Sequence, residues 1–380
     1  MNKNAFIKTA TIITAVFAFS VTVYSQSGGL AGTPINIGAG FDMILEVPSG
    51  DMADTEFELR AIELNIGAPV DPFFDALLTI SWHEGEFDLE EGWISTMLPL
   101  NAKLQFGREF LPFGYLNRIH EHDFPQIDQP YVLEGLTTDH GLQGDGAHLE
   151  LMAPFINPTL SLTVGAYQNI RHSVGRRMEG TPLMGRLSSY IQSADGKHEV
   201  LAGGSYLTTR GERSRVRNAE LHRIRTLGII DQMVGADVKY RFSPGGQTYR
   251  GLTIGGEYLR IDYERLDEHL IYDTNTTTRA GAARPDFDPG TDQGIYLYTH
   301  YNFNRFWGMG YRFDFTDVLF GSLHDNEKLT AHSVYGEWRP TEFSRIRAQY
   351  QYVIEPGDDP EHLVLLQGTF FIGWHPPHRF

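Results

Sequence analysis

Few folds can absorb the rhythm in which this chain alternates. Ile37, Ala39, Phe41, Met43 and Leu45 share one parity, and Asn36, Gly38, Gly40 and Asp42 share the other. The pattern returns over 74–82, 160–166 and 234–242. It returns again over 345–352, where Ile346, Ala348, Tyr350 and Tyr352 oppose Arg345, Arg347, Gln349 and Gln351. A period of two belongs to a strand with one apolar face, and almost nothing in the chain has a helical period. About sixteen such segments can be counted, an even number within the porin range. Connections after even-numbered segments are short and often carry Pro or Gly, at 68–72, 98–101, 153–158, 193–196, 243–246 and 339–342. Those after odd-numbered segments are mostly longer, at 111–146, 208–227, 262–292 and 316–328. Turns on one rim and loops on the other mark a membrane barrel, whereas a two-sheet sandwich has no reason to segregate them. The expected fold is all-β, a transmembrane antiparallel β-barrel with Ile37, Ala39, Val234, Ala236, Ile346 and Ala348 facing lipid. Two segments fit less well. Parity changes near Ile62 in 57–67 and near Leu259 in 252–263, each read as a β-bulge or a displaced boundary.

The N-terminus suits export. Lys3 and Lys8 form a basic start before an uncharged, mostly apolar run over 9–23, and Val23-Tyr24-Ser25 offers small residues before Gln26. This reads as a signal peptide over 1–25, followed by a single barrel domain over 26–380. The apolar run is shorter than the ~20 residues of a spanning helix, and no later stretch approaches that length. Cys is absent, so neither a lipid-anchored cysteine nor a disulfide enters the reading. A formal charge of −17 argues against a nucleic-acid or anionic-surface binder.

The last segment makes a separate case. Val364, Leu366, Gly368, Phe370, Ile372 and Trp374 share a parity that reaches Phe380, although Pro376 and Pro377 interrupt it. An outward aromatic strand at the chain end would close the barrel and remove its open edge. The ending resembles that of bacterial outer-membrane proteins, whose terminal aromatic is read by the barrel-assembly machinery.

The stretch 103–150 reads as strand, excursion, strand. Three prolines (Pro112, Pro125, Pro130) exclude a regular helix or central strand between its ends, and excursions of this length are usually functional or disordered. Phe110, Pro112, Phe113, Tyr115 and Leu116 give it an apolar anchor that a solvated loop would not need. Beyond the anchor it is acidic, with Glu121, Asp123, Asp128, Glu134, Asp139 and Asp145 against Arg118. Folded into a lumen, such an arm would favour cations, with Arg118, His120, Glu121, His122, Asp123 and Asp128 at the constriction. His120 and His122 would point the same way in extended backbone. With Asp123 they offer imidazole and carboxylate ligands for zinc or a similar divalent ion, and His140 is the nearest further donor.

The wall is mixed in charge. Lys239, Arg241, Arg312, Arg345 and Arg347 read as inward, facing Asp237, Asp314 and Glu337, either as opposed ladders across a lumen or as cross-strand pairs. Arg213, Arg215, Arg217, Arg223 and Arg225 would sit at the outer rim, near lipopolysaccharide phosphates. Arginine clamps for phosphate therefore stand as an alternative to cation preference. No G-x-S-x-G elbow or spaced metalloprotease motif occurs, so no enzyme is expected.

The run Gly107-Arg-Glu-Phe-Leu-Pro-Phe-Gly-Tyr-Leu-Asn-Arg-Ile-His-Glu-His-Asp-Phe-Pro and the ending Gly373-Trp-His-Pro-Pro-His-Arg-Phe380 resemble phosphate-selective-porin-like proteins. They are closest to a branch labelled zinc-regulated outer-membrane receptors. The resemblance is strong over 90–154 and at the C-terminus. It implies a porin-like barrel with an inward-folded third extracellular loop, working as an outer-membrane channel for passive diffusion of ions or small solutes, narrowed by 111–146. A receptor or divalent-metal uptake barrel is the alternative. The label of TonB-dependent receptor fits poorly, because a plug and a barrel of about 22 strands exceed the chain. The implied partners are outer-membrane lipid and lipopolysaccharide, the barrel-assembly machinery and small solutes, with a homotrimer left open.

Overall fold

The computed structural model describes residues 35–49, 55–83, 85–137, 141–154, 157–170, 176–178, 180–209, 228–246, 249–266, 287–317, 328–357 and 359–374. Its strands are β1 (Asn36–Pro48), β2 (Glu56–Pro69), β3 (Phe74–His83), β4 (Glu86–Leu98), β5 (Ala102–Phe110) and β6 (Gln143–Ala153). They continue as β7 (Thr159–Gln168), β8 (Arg176–Met178), β9 (Leu183–Gln192), β10 (His198–Thr208), β11 (Gly228–Phe242) and β12 (Gly251–Leu266). The last are β13 (Phe287–Asn302), β14 (Trp307–Thr316), β15 (Leu329–Thr341), β16 (Ser344–Ile354) and β17 (Glu361–Gly373). Each pairs antiparallel with its neighbour in sequence, except that β7 pairs with β9 and the short β8 runs parallel to the start of β11. β17 returns to β1, with Phe370 opposite Phe41 and Leu366 opposite Leu45. The sheet is thus a closed sixteen-strand barrel, its first and last strands paired with each other.

The expected parity holds on the outside. Val234, Ala236, Ile346 and Ala348 are exposed, Ile37 and Ala39 are half-buried, and Val238 is 47 % exposed. Trp307 and Trp338 stack at 5.9 Å near the short-turn rim, beside the exposed Phe303 and Phe343. Aromatic side chains at that height suit a membrane–water interface. The long connections all fall on one rim, as the spacing predicts, although that rim also carries the two-residue connection between His83 of β3 and Glu86 of β4. Some boundaries move: β6 begins at Gln143, so the third long connection is 111–142, and β12 and β13 reach further into 262–292 than expected.

The two irregular segments resolve differently. β2 does carry a bulge: the register steps from Asp42 opposite Ala61 to Ile44 opposite Glu58, leaving an extra residue at Leu59–Arg60. β12 carries none at Leu259. Its inward parity runs unbroken through Glu257, Leu259 and Ile261, and the inner face simply turns apolar there. The register shift lies on the partner, at Asp231 of β11. Trp374 also departs from expectation. Gly373 adopts φ +77°, which breaks the alternation, and Trp374 turns inward over Gly67, where a Cβ would lie 2.6 Å from the indole.

Segments 1–34, 210–227 and 375–380 lie outside the described residues, and with them the expected signal peptide, the basic stretch from Arg213 to Arg225, Pro376, Pro377 and Phe380. So do Asp139 and His140.

Candidate functional site

The segment 111–142 is tied together at its ends and packs on residues of the wall. Asn117 ties its ends together: Nδ2 donates to Leu111 O (2.9 Å) and Leu142 O (3.0 Å), and Oδ1 accepts from Leu142 N (2.6 Å). Turns at Leu116–Arg118 and Glu121–Asp123 follow, and a short helix α1 (Tyr131–Leu136) starts directly after Pro130. Proline is tolerated at that helix start because its missing N–H would have no helical partner. Leu111, Phe113, Tyr115, Leu116, Ile119, Phe124, Val132 and Leu133 are buried in one apolar cluster with Met184, Leu207, Met233, Leu259, Ile261, Tyr296 and Tyr298 of the wall. The inner face of β12 turns apolar because this anchor packs on it. Each such side chain contributes ~1.5–3 kcal/mol when fully buried.

Glu257 fastens the anchor. Its carboxylate accepts the backbone N–H of Tyr115 (3.2 Å) and Leu116 (2.9 Å) and the hydroxyl of Tyr296 (2.8 Å). Gly114 N donates to Ser205 Oγ at 3.0 Å. Gly114 holds φ +68°, and a Cβ there would lie 2.1 Å from Glu257 Oε2. Only glycine fits, on both conformational and steric grounds.

The polar half of the segment meets wall arginines. Asp128 Oδ2 accepts from Arg312 Nη2 at 2.7 Å, and Arg312 Nε donates to Asp314 at 2.6 Å. Arg347 donates to the carbonyls of Phe124, Gln126 (2.7 Å) and His122 (3.2 Å), while its Nε reaches Gln367 (2.6 Å). Arg345 donates to His122 O and lies 3.6 Å from Asp123. Arg60, at the β2 bulge, bonds Asp42 (2.7 Å) and Glu121 (2.9 Å). Arg312 and Arg347 are 0 % and 1 % exposed. The acids expected to stand bare at a constriction are therefore paired, and Arg312, Arg345 and Arg347 hold the segment rather than forming a ladder. Burial opposes charge on Asp128, but Arg312 and the Gln349 and Gln351 amides outweigh it and keep the carboxyl below its usual range.

The remaining wall residues lie apart from this latch. Asp237 receives a bidentate pair from Arg186 (2.6 and 2.8 Å). Lys239 lies 5.9 Å from the Tyr115 ring centroid. Glu337 meets His300 (3.1 Å) and Arg339 (3.2 Å). Arg241 is half-buried on the inward parity of β11.

His120 sits in a carboxylate nest. Its Nδ1 lies 3.0 Å from both Glu63 Oε2 and Glu90 Oε2, and its Nε2 lies 3.2 Å from Glu91 Oε2. Glu90 and Glu91 are adjacent in sequence, yet both reach the ring. A register shift opposite Thr79 and Ile80 puts a bulge at Glu90 of β4, and bulges re-aim side chains in this way. Burial alone would lower the His120 pKa; the carboxylates outweigh it and raise it well above the ordinary value. His122 follows suit, raised by Asp123 and Glu63 against burial. Among the described residues, Glu63, Glu90 and His120 bring three ligand atoms within 4.8 Å of one another. Of the expected metal set, His120 alone joins that group; His122 Nε2 pairs with Asp123 at 3.0 Å instead. Glu63 hinted at its role through the parity change near Ile62, but nothing local marked Glu90, Glu257 or Arg60.

Two cavities meet at His120 and Phe110. The larger, about 300 Å³, opens near the short-turn rim between Asp75, Glu91, Trp93, Arg118 and Trp374. The smaller, about 30 Å³, lies on the other side of His120 between Asp42, Arg60, Glu63, His83 and Glu90.

No family model matches the chain. A protein of Aquifex aeolicus (strain VF5), described as uncharacterized, is 26 % identical over 350 residues, covering 85 % of this chain and 70 % of the relative. Among solved structures, the chain is similar to an anion-selective porin from Comamonas acidovorans (TM-score 0.57, 9 % identity, 90 % of this chain and 100 % of that one). It is similar also to the trimer form of the Vibrio cholerae outer-membrane protein OmpT (TM-score 0.55, 10 % identity, 90 % and 100 %). A third likeness is to the outer-membrane channel DcaP of Acinetobacter baumannii (TM-score 0.54, 11 % identity, 90 % and 99 %). The fold is that of outer-membrane porins, and its apolar, aromatic-girdled exterior belongs in a bacterial outer membrane.

Proposed function

We propose that this porin-type barrel is a channel for passive diffusion of ions or small solutes, narrowed by the segment 111–142. One observation carries the reading. The segment bonds to inward side chains of β2, β10, β12, β14 and β16, from Arg60 and Ser205 to Glu257, Arg312 and Arg347. The cavity of about 300 Å³ remains beside it. The solute path runs through that cavity, past His120, along β1 to β5. Selectivity then follows from what lines the cavity. Asp75 and Glu91 face Arg118 there, which favours cations modestly, and the effect is screened as salt rises because the Debye length is ~10 Å at 0.1 M. The segment 1–25 is removed on export, lipid and lipopolysaccharide meet the outer face, and Phe380 is offered to the assembly machinery. A homotrimer is the assembly to test by cross-linking.

Single-channel recording in planar bilayers tests the reading. Deleting 117–128 is expected to raise conductance, and Glu91→Gln with Asp75→Asn to move the reversal potential toward anions. Unchanged conductance after the deletion would put the solute path elsewhere. A protein that inserts and passes no current would favour a receptor.

A further inference from the structure

We infer that Glu63, Glu90 and His120 form an exchangeable binding site for a divalent first-row transition cation, holding the segment 111–142 against the wall. Two strands and one loop converge here, each with its own device. The bulge in β4 turns Glu90 inward next to Glu91. The bulge in β2 precedes Glu63. The turn Glu121–Asp123 starts directly after His120.

Each carboxylate is prepared in the same manner. Glu63 Oε1 accepts from Asn65 Nδ2 at 2.5 Å, and Asn65 is held in turn by Thr79 (2.8 Å). Glu90 Oε1 lies 2.8 Å from His83 Nε2. Each acid thereby keeps one oxygen in a supporting bond and aims the other, Oε2, at the same nitrogen, His120 Nδ1, at 3.0 Å. One N–H cannot serve two acceptors well, and Glu90 Oε2 is buried without a hydrogen bond of acceptable geometry although its residue is only 5 % exposed. A cation between the three atoms would satisfy all of them. His120 Nε2 could then donate to Glu91, the carboxylate–imidazole–metal arrangement that orients metal-bound histidines.

The donor chemistry selects the class of ion. One imidazole and two carboxylates suit zinc or a neighbouring divalent metal, whereas calcium and magnesium take oxygen ligands. Three protein ligands leave a coordination position open, as in sites that exchange a ligand rather than purely structural ones. The adjoining cavity of about 30 Å³ has room for the water that would complete the sphere. Among the described residues lining that cavity, Arg60 is the only fixed positive charge, and it is bonded to Asp42 and Glu121.

Binding itself does not depend on the channel reading; only the effect of the ion on current does. Untagged refolded barrel is titrated with zinc by calorimetry and with cobalt by visible absorption, which reports the donor set. One ion per chain is expected. Glu63→Gln and Glu90→Gln should each weaken binding at least about tenfold, and His120→Ala should abolish it. Asn65→Ala, which keeps every ligand, should weaken binding as well. Heat-modifiable gel migration shows which variants have folded. A folded wild type that binds no ion saturably, or a stoichiometric site indifferent to His120→Ala and Glu90→Gln, would overturn the inference. In bilayers, zinc should reduce the wild-type current and spare that of His120→Ala. Binding without any effect on an open channel would retain the site and remove His120 from the conduction path. An open channel with no binding would retain the path and sink the site.

Discussion

At Gly114 the backbone sits at φ +68°, within 2.1 Å of a carboxylate oxygen for any added Cβ. Gly114→Ala combines left-handed strain with displacement of Glu257 from the Tyr115 and Leu116 amides. The expected loss is ~2–4 kcal/mol, read as a lower urea midpoint of the refolded barrel. Asp128 makes a prediction in pH. Its folded pKa is held below the usual aspartate value, chiefly by Arg312 acting against burial. A lowered folded value means that the contribution is present above the ordinary aspartate pKa and is lost as pH falls through the folded one. Asp128 also feels Arg60, Glu46, Asp314 and Tyr131, so the change is spread rather than sharp. The Asp128 share of the urea midpoint should hold down to about pH 4 and be lost below that, read as the difference between wild type and Asp128→Asn. Asp128→Asn should flatten the acid limb.

At the scale of elements, the segment 111–142 behaves as two halves with different chemistry. One half is a dry anchor on β9 to β13, and the other is a polar latch on β2, β14 and β16. The latch rests heavily on Arg347, which serves carbonyls of three loop residues. Losing it strands acceptors that are each costly when unsatisfied, by ~1–3 kcal/mol. Arg347→Ala should therefore leave the barrel closed but free the latch half. The measurement is limited proteolysis within 118–128 together with current noise in bilayers. Protection and noise identical to wild type would show that Arg312 and Arg345 suffice. The bulges belong to this scale too, since a regular β4 would send Glu90 and Glu91 to opposite faces.

For the whole molecule, stability depends on the match between its outer face and lipid. Val238 is outward and 47 % exposed. Val238→Lys should destabilise the barrel in vesicles by ~2–4 kcal/mol if it lies near the bilayer midplane, and less toward either rim. Chemical unfolding from lipid vesicles measures this. An unaffected midpoint would mean that Val238 does not face hydrocarbon. Closure of β17 on β1 joins the two ends of the chain, with Gln367 and Thr369 both donating to Asp42.

The amino-acid sequence by itself determined the barrel. A period of two sets which side chains face lipid, and the segregation of short and long connections sets which rim is which; both are local properties of a strand and its turns. The apolar run Phe110 to Leu116 likewise announced an anchored excursion. What the anchor and the acids would meet was decided only by tertiary structure. Glu121 finds Arg60 across 61 residues, Asp128 finds Arg312 across 184, and Arg347 reaches carbonyls more than 220 positions away. No local pattern encodes such pairs, because barrel closure and loop docking create them together. The same holds for the His120 nest. His120-Glu121-His122-Asp123 pointed to imidazole and carboxylate chemistry, but a tight turn sends His122 to Asp123 while two bulged strands bring Glu63 and Glu90. A bulge is a single extra residue in the pairing register, and register exists only between strands.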